Sequence, residues 1–196
     1  MKEYKNAFIG LPLPHYLLDE FKNILNILNK IMPELRTVNP NTPHITIYYL
    51  GTQLYDTLVD IGDILEYEKH LLQNSTIKFS GFDYFTHTNP KVLYLNVLPN
   101  IKLQYFYQKL STRLYKFNPP DNRLYKPHLT IARISDNKLK NEFNNKVASI
   151  TEALKNIRWE YSVAEVNLYG RDFTRDDKTQ KVLKKVIVDP LVYKIE

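Results

Sequence analysis

Two histidines in a repeated five-residue pattern are the residues of this sequence best suited to catalysis. Residues 43–47 read Pro-His-Ile-Thr-Ile, and 84 positions later residues 127–131 read Pro-His-Leu-Thr-Ile. The 196-residue chain has only five histidines, so a chance repeat of this pattern is improbable. Each copy places a hydroxyl two residues after an imidazole, and the repeat therefore predicts one site built from two matching halves.

Two imidazoles that face one cleft are suited to acid–base chemistry on a phosphodiester. Because histidine titrates near neutral pH, one ring can remove a proton from the attacking oxygen while the other donates a proton to the leaving oxygen. The neighbouring hydroxyls can donate hydrogen bonds to the non-bridging phosphate oxygens as charge builds there. The pattern therefore predicts His44 and His128 as the acid–base pair and Thr46 and Thr130 as phosphate binders, with no need for a metal ion.

Each copy of the pattern alternates polar and apolar residues, which is the period of a half-buried strand. Side chains at positions i and i+2 of a strand project from the same face, about 6–7 Å apart. His44 and Thr46 are therefore expected on one face, whereas Ile45 and Ile47 enter the core. The second copy repeats this arrangement, so we predict two motif strands beside a shared cleft.

Other kinds of catalytic site match the sequence poorly. There is no HExxH or HxxxH pattern, and neither motif has a carboxylate beside its histidine, so we expect no metal. The absence of cysteine excludes thiolate nucleophiles, disulfides and cysteine-based zinc sites, and no nucleophile elbow occurs. We expect no cofactor.

Composition and charge favour a folded protein with an anionic partner. The chain is 43% hydrophobic and 13% aromatic, its net charge is +6 and its sequence pI is about 9.2. A basic surplus favours nucleotides or RNA, although charge alone is weak evidence. No apolar run approaches the roughly 18 residues of a membrane span, and the first residues do not resemble a signal peptide, so we expect a cytoplasmic protein.

The predicted elements place the two motif strands in similar surroundings. Their order is strand, helix, motif strand, helix, strand, strand, helix, motif strand, helix, strand, strand. Neither half is set apart by a Gly/Ser-rich linker, so we expect an α+β fold in which two similar lobes of mainly antiparallel sheet and helices share a central cleft. The predicted bounds outside the motifs are strands 6–11, 76–82, 92–98, 159–169 and 180–188 and helices 16–31, 55–72, 101–115 and 139–154.

The duplicated His-x-Thr motif resembles that of the 2H phosphoesterase superfamily, and more narrowly of the LigT-like RNA 2′,3′-cyclic phosphodiesterases, also called 2′-5′ RNA ligases. The resemblance covers nearly the whole chain and continues in segments 8–14, 36–38, 48–51, 91–95, 132–133 and 166–169. It implies one domain over residues 1–196 and a bilobal α+β fold with two pseudo-repeated lobes. We also expect a monomer, although the sequence does not fix the oligomeric state. The resemblance also implies metal-independent hydrolysis and the same roles for the histidines and threonines of the two motifs.

Further residues are candidates for binding the substrate. Arg133 stands five residues beyond His128, an odd offset that an ideal strand turns to the opposite face, although a bulge or twist would return it to the cleft. The family often has arginine there. Tyr48 shares the His44 face in an ideal strand, where it lines the cleft or simply packs, and Lys126 is a candidate for a basic rim.

Three aromatic residues stand where LigT-like proteins often place an aromatic near the base of the nucleotide: Phe82, Tyr84 and Phe85. Stacking on a base stabilises binding by about 1–3 kcal/mol. We expect at least one of the three to pack in the core instead.

The expected function is hydrolysis of 2′,3′-cyclic phosphate or 2′-5′ phosphodiester bonds in RNA ends or small oligonucleotides. We expect His128 to be the general base and His44 the general acid, although the sequence does not fix this direction. One alternative is degradation of 2′-5′ oligoadenylate or cyclic oligonucleotide immune signals. Another is a non-catalytic module that binds RNA or nucleotides.

Overall fold

The computed structural model describes residues 2–86, 92–120, 124–172 and 180–190. Within these ranges the predicted α+β class is confirmed, and the predicted elements follow in the expected order, with one additional short strand and one predicted strand divided in two. The strands are β1 (Glu3–Pro12), β2 (Arg36–Thr37), β3 (His44–Leu54), β4 (Thr76–Phe85), β5 (Val92–Val97), β6 (His128–Arg133), β7 (Glu160–Ser162), β8 (Glu165–Asp172) and β9 (Lys181–Ile187). The α-helices are α1 (Leu18–Ile31), α2 (Tyr55–Glu68), α3 (Ile101–Leu114) and α4 (Asn137–Leu154).

The two motif strands, β3 and β6, are neighbours at the centre of one antiparallel sheet. The strand order is β7-β4-β5-β6-β3-β1-β8-β9, and β2 pairs with β6. Each motif strand therefore has three strands on its outer side. This arrangement brings the two copies of the motif together although 84 residues separate them in sequence.

The sheet curls until its two ends approach each other. β7 pairs with β4 in one half of the sheet, whereas β8 pairs with β1 and β9 in the other half. Only residues 163–164 connect β7 to β8, and two residues span less than about 11 Å even when extended. The sequence pattern predicted a single strand over 159–169, because the hydrophobic alternation hardly changes where the chain passes from one half to the other.

Helix positions follow from apolar spacing and from local capping. In α1 the buried residues recur at helical spacing: Phe21, Ile24, Leu25 and Leu28. Asn100 caps α3 by accepting a hydrogen bond from the Leu103 N–H, and Asp136 caps α4 by accepting one from the Leu139 N–H. Each such cap stabilises its helix by about 1 kcal/mol. In the described part of the chain, no helix is long and apolar enough to cross a membrane.

Two differences from the predicted elements affect the site. β4 continues to Phe85, so the aromatic segment predicted as a loop after residue 82 is in part a strand. Residues 87–90 of that predicted loop lie outside the described residues. The short strand β2 was not predicted, because two residues carry no periodicity.

Candidate active site

The four motif side chains lie together on one face of the central strand pair. β3 and β6 meet where Ile45 stands opposite Leu129, and both of these side chains are 1% exposed. In an antiparallel pair this register places Thr46 beside His128 and places His44 beside Thr130. All four polar side chains are half-buried. The structure therefore brings the four predicted catalytic residues together.

Each histidine is held by a hydrogen bond to the carbonyl group two residues earlier. His44 Nδ1 lies 2.9 Å from the carbonyl oxygen of Thr42, and His128 Nδ1 lies 2.8 Å from that of Lys126. Because a carbonyl oxygen can only accept, Nδ1 carries the proton in both rings. In the neutral ring Nε2 is then a proton acceptor, and in the charged ring it is a donor.

Aromatic rings from the outer strands β1 and β8 fix the orientation of His44. Its ring stacks on the Phe8 ring at a centroid distance of 4.5 Å and lies 5.4 Å from the Tyr169 ring. The Phe8 and Tyr169 rings also stack on each other, at 4.7 Å. Gly10 allows this packing, because a Cβ there would lie 3.2 Å from the Phe8 ring and 3.0 Å from the carbonyl oxygen of Ile45.

His128 is packed by Phe85 and Tyr94 from the outer strands β4 and β5. The Phe85 ring meets His128 edge-on at 4.7 Å, and the Tyr94 ring lies 5.2 Å away. The Tyr94 hydroxyl donates to Asp83 Oδ2 at 3.0 Å. Lys126 Nζ donates to the Tyr94 hydroxyl at 2.6 Å and to Asp83 Oδ2 at 3.1 Å. Lys126 is therefore next to the site, with its ammonium group engaged by Asp83.

Both histidines are shifted toward the neutral form. Burial lowers the pKa of His44 and of His128 below the ordinary value of 6.5, and the positive charge of Arg133 lowers both further. The hydrogen bonds from Nδ1 to the backbone oppose these shifts without cancelling them. The pKa of His128 is also lowered by Lys126 and by His44. At pH 7 both rings are therefore mainly neutral in the free protein.

A β-bulge in β6 turns Arg133 toward the site face. Tyr94 lies opposite Thr130, but the preceding residue of β5 lies opposite Ala132, so Ile131 is an extra residue in β6. Ile131 and Ala132 are both buried, and Arg133 is exposed on the same face as Thr130. The bulge therefore returns Arg133 to the site face, although Arg133 stands an odd number of residues after His128.

A bulge at the equivalent position of β3 turns Tyr48 away from the site. Gly10 lies opposite Thr46, but the preceding residue of β1 lies opposite Tyr48, so Ile47 is the extra residue. Tyr48 is 2% exposed, and its hydroxyl donates to the carbonyl oxygen of Asn118 at 2.6 Å. The prediction that Tyr48 lines the cleft is therefore wrong, because the ideal alternation on which it rested is broken one residue earlier.

Of the three predicted aromatic residues, only Phe85 contacts a histidine. Phe82 and Tyr84 lie opposite buried leucines of β5 on the other face of β4. Tyr84 packs edge-on against Phe143 of α4 at 5.0 Å, and Phe82 packs against the core. Predicted roles for Phe82 and Tyr84 at the site face are therefore wrong, because alternation along β4 assigns that face to Asp83 and Phe85.

Asp83, which accepts a hydrogen bond from the Tyr94 hydroxyl, was not among the predicted site residues. Neither were three aromatic residues that pack on the histidines: Phe8, Tyr94 and Tyr169. They reach the histidines through strand pairing, which the sequence does not specify. The sequence held one signal for Asp83, its spacing of two residues from Phe85 along a strand. That signal could be used only if β4 was predicted to extend past Phe82.

The assembled patch offers two proton carriers, two hydroxyls and one cation. A phosphate group over the threonines could accept hydrogen bonds from both hydroxyls while an imidazole faces each of its sides. In the described ranges no group of three or more His, Cys, Asp or Glu side chains is arranged to hold a metal ion.

Similar folds occur among solved structures. TT0787 of Thermus thermophilus superposes with a TM-score of 0.71 at 16% sequence identity, covering 94% of this chain and 98% of that chain. E. coli LigT complexed with NADP⁺ gives a TM-score of 0.67 at 18% identity with the same coverage. The MHV ns2 PDE domain gives 0.54 at 14% identity, covering 85% of this chain and 98% of that domain.

A search of curated protein sequences gives no match. The family model of the 2′-5′ RNA ligase superfamily matches residues 33–175, a span that includes both motif strands. The chain therefore belongs to the 2′-5′ RNA ligase superfamily, a group of 2H phosphoesterases.

Proposed function

We propose that this protein is a metal-independent phosphodiesterase that hydrolyses 2′,3′-cyclic phosphate or 2′-5′ phosphodiester bonds in RNA ends or small oligonucleotides. The observation that carries the proposal is the pair of histidines, each with Nδ1 bonded to the backbone and Nε2 left for proton transfer. Membership of a phosphoesterase superfamily supports the same kind of reaction.

In the proposed reaction, Nε2 of one neutral histidine takes a proton from water, and the water oxygen bonds to phosphorus. The bond from phosphorus to the leaving oxygen breaks, and Nε2–H of the other, charged histidine gives that oxygen its proton. The Thr46 and Thr130 hydroxyls donate hydrogen bonds to the non-bridging oxygens, and Arg133 balances their charge. A cyclic phosphate opened in this way, with the 3′ oxygen leaving, yields a 2′-phosphate.

The charges around the histidines support His128 as the base and His44 as the acid. The base must be neutral before water attacks, and His128 is influenced by Lys126 and Arg133, whereas among the described residues only Arg133 shifts His44 through its charge. These two positive charges favour the neutral form of His128, which the role of base requires.

A nucleotide substrate is supported by charge and by similar structures. The chain has a net charge of +6, and Arg133 and Lys126 lie around the histidines. E. coli LigT, whose fold is similar, has been solved with NADP⁺, with 3′-AMP and with ATP.

The direct test is turnover in the presence of EDTA. The panel contains 2′,3′-cyclic nucleotides, an RNA with a cyclic phosphate end, 2′-5′ oligoadenylate and cyclic oligonucleotides, and products are resolved by mass and by 2′- versus 3′-phosphate. We expect cleavage of at least one of the first three substrates, at a rate that EDTA does not change. Activity that EDTA abolishes and that added Mg²⁺ or Mn²⁺ restores would contradict the proposed mechanism.

The activity should have an acidic pH optimum. One histidine must be neutral and the other charged, and both pKa values are below 6.5, so kcat/KM should peak below pH 6.5. Above the upper pKa the acid is deprotonated, and the rate should fall about tenfold per pH unit; below the lower pKa the base is protonated.

Arg133→Met should move this profile to higher pH. Removing a positive charge makes protonation easier, so the pKa of both histidines rises and the alkaline limb shifts upward. Arg158→Met, a change at an exposed arginine that bonds to local backbone carbonyls, is the matched control and should leave the profile unchanged. A profile that Arg133→Met leaves in place would show that Arg133 does not act on the histidines.

A further inference from the structure

The two halves of the site differ at the residue two positions before each histidine. In both halves this residue supplies the carbonyl oxygen that accepts the hydrogen bond from Nδ1, and it is Thr42 before His44 but Lys126 before His128. One ring is therefore held by a residue that carries a positive charge, and the other ring by a residue with an uncharged hydroxyl. Two otherwise matching half-sites become unequal at this position.

The Lys126 ammonium lies over the two rings that pack on His128. Its Nζ is 5.0 Å from the centroid of the Tyr94 ring and 5.7 Å from that of the Phe85 ring. A cation over an aromatic face is attracted by the negative charge of that face. Both rings contact His128, so Lys126 approaches this histidine through its backbone carbonyl and also through its side chain.

Asp83 and Tyr94 fix the position of this ammonium. Asp83 Oδ1 accepts a hydrogen bond from the Tyr84 N–H at 2.8 Å, and Oδ2 accepts from the Tyr94 hydroxyl and from Lys126 Nζ. The Tyr94 hydroxyl also accepts from Lys126 Nζ at 2.6 Å. The Asp83 side chain is only 25% exposed and the Tyr94 side chain is buried. Because water screens this ion pair less than an exposed one, the ammonium is held more firmly than on an open surface.

The hydroxyl that packs beside His44 is bonded differently. Tyr169 accepts a hydrogen bond from the uncharged amide of Asn167 at 3.3 Å. The same amide donates to Glu165, whose carboxylate is paired with Lys185. The carboxylate and ammonium of this half are therefore one hydrogen bond further out than Asp83 and Lys126 are in the other half. Within the described ranges, the rings that pack on His44 have no ammonium group over them.

Lys126 and Asp83 stay charged over the pH range in which the histidines titrate. Burial opposes both charges, but the hydrogen bonds that Lys126 makes to Tyr94 and Asp83 raise its pKa overall. The bonds from the Tyr84 N–H, Lys126 and Tyr94 likewise lower the pKa of Asp83 overall. Burial raises the pKa of Tyr94, which therefore stays neutral.

Of the permanent charges in the described part of the chain, Lys126 is the one that acts on a single histidine. Burial lowers the pKa of both rings, and the charge of Arg133 lowers both further. Repulsion between His44 and His128 is mutual and does not distinguish them. The charge of Lys126 lowers the pKa of His128 and does not affect that of His44.

We propose that Asp83 and Tyr94 are positioning residues that hold the Lys126 ammonium beside His128, and that this held charge assigns the role of base to His128. The inference rests on the proposed phosphodiesterase function and refines it. A positive charge beside His128 favours the neutral ring, which is the form that can accept a proton from water. His44, which has no such charge beside it among the described residues, is left as the acid.

Lys126→Met tests the effect of the charge. An NMR titration should show a higher pKa for His128 and an unchanged pKa for His44, with His128→Ala and His44→Gln assigning the two signals. Because the base must lose its proton before water attacks, the acidic limb of kcat/KM should move to higher pH and the alkaline limb should stay. Lys126→Arg should restore the parent profile. Lys78→Met is the matched control, because it breaks an ion pair with Glu160 in which both side chains are more than half exposed.

A background that carries both Asp83→Asn and Tyr94→Phe tests the positioning. If these residues hold the ammonium beside His128, their loss lets it move into water, and Lys126→Met should then shift the acidic limb less than in the parent protein. If Asp83 only neutralised Lys126, the charge would act more strongly without it, and Lys126→Met would have a larger effect. Phenylalanine keeps the ring that packs on His128, and a melting curve confirms folding. An equal or larger effect of Lys126→Met in this background would overturn the positioning role.

The outcomes of these tests separate this proposal from the proposed function. Movement of the alkaline limb in Lys126→Met would make His128 the acid, and an equal loss of kcat/KM at every pH would make Lys126 a substrate contact only. Either result would overturn this proposal and leave EDTA-resistant hydrolysis intact. If no substrate of the panel were cleaved, the proposed function would fail, while the NMR titration would still show whether the held charge makes the two histidines unequal.

Discussion

Replacing either His44 or His128 with alanine is expected to lower kcat by about 10²–10⁴-fold, the range that general acid–base catalysis contributes. Among the described residues, each ring is the only proton carrier that we identify on its side of the patch, so its loss leaves one proton transfer without a partner. The double variant should be little slower than either single variant, because the two rings act together in the same displacement at phosphorus. The rates are measured on whichever substrate of the panel the parent protein cleaves fastest.

His70→Ala is the matched control for both histidine variants. His70 also bonds through Nδ1 to a backbone carbonyl, that of Tyr67 at 2.8 Å, but it lies on the 3₁₀ turn after α2. It should keep full activity. Because His44 packs against two aromatic rings, His44→Gln and a melting curve for every variant show whether lost activity reflects lost folding. Near-normal turnover in a folded His44 or His128 variant would refute the paired-histidine mechanism, and binding without turnover in the parent protein would favour the binding-module alternative.

Thr46→Val and Thr130→Val should each lower kcat/KM by about 10²-fold, the lower end of what one donor to a developing oxyanion contributes. Valine keeps the shape and branching of threonine, so the half-buried position stays filled and only the hydroxyl is lost. The cross-strand register places each threonine beside the histidine of the other motif, so each variant weakens phosphate binding next to a proton-transfer group.

Thr→Ser at the same two positions should keep most of the activity, because serine restores the hydroxyl. Thr76→Val, at an exposed position of β4, is the control for the loss of a strand threonine away from the site. If Thr46→Val and Thr130→Val were as active as Thr76→Val, the hydroxyls would be strand-forming groups without a role in phosphate binding.

The two half-sites could be predicted from the sequence because each is formed by residues within one short segment. Alternation within residues 43–47 and 127–131 predicts which side chains share a face, and Ile45 and Leu129 are buried as expected. The helices were predicted nearly to their ends, because their apolar residues recur at helical spacing.

The parts that could not be predicted depend on pairing between strands. A bulge is defined by the partner strand, so alternation alone assigned Tyr48 to the cleft and Arg133 to the opposite face, and the structure reverses both. The packing of Tyr169 on His44 likewise joins residues 125 positions apart, through the order of strands in the sheet.

The hydrogen bond from each histidine to the carbonyl two residues earlier has a consequence for how such a site can arise. The proline between donor and acceptor restricts the preceding residue to extended conformations, so the direction of that carbonyl is set within the segment itself. About five consecutive residues thus contain a proton carrier, its tautomer control and a hydroxyl. Duplication of such a segment copies half of an active site, and antiparallel pairing of the copies completes it by approximate two-fold symmetry. Acid and base then differ only through their outer neighbours, so selection can separate the two roles, or exchange them, without altering either motif.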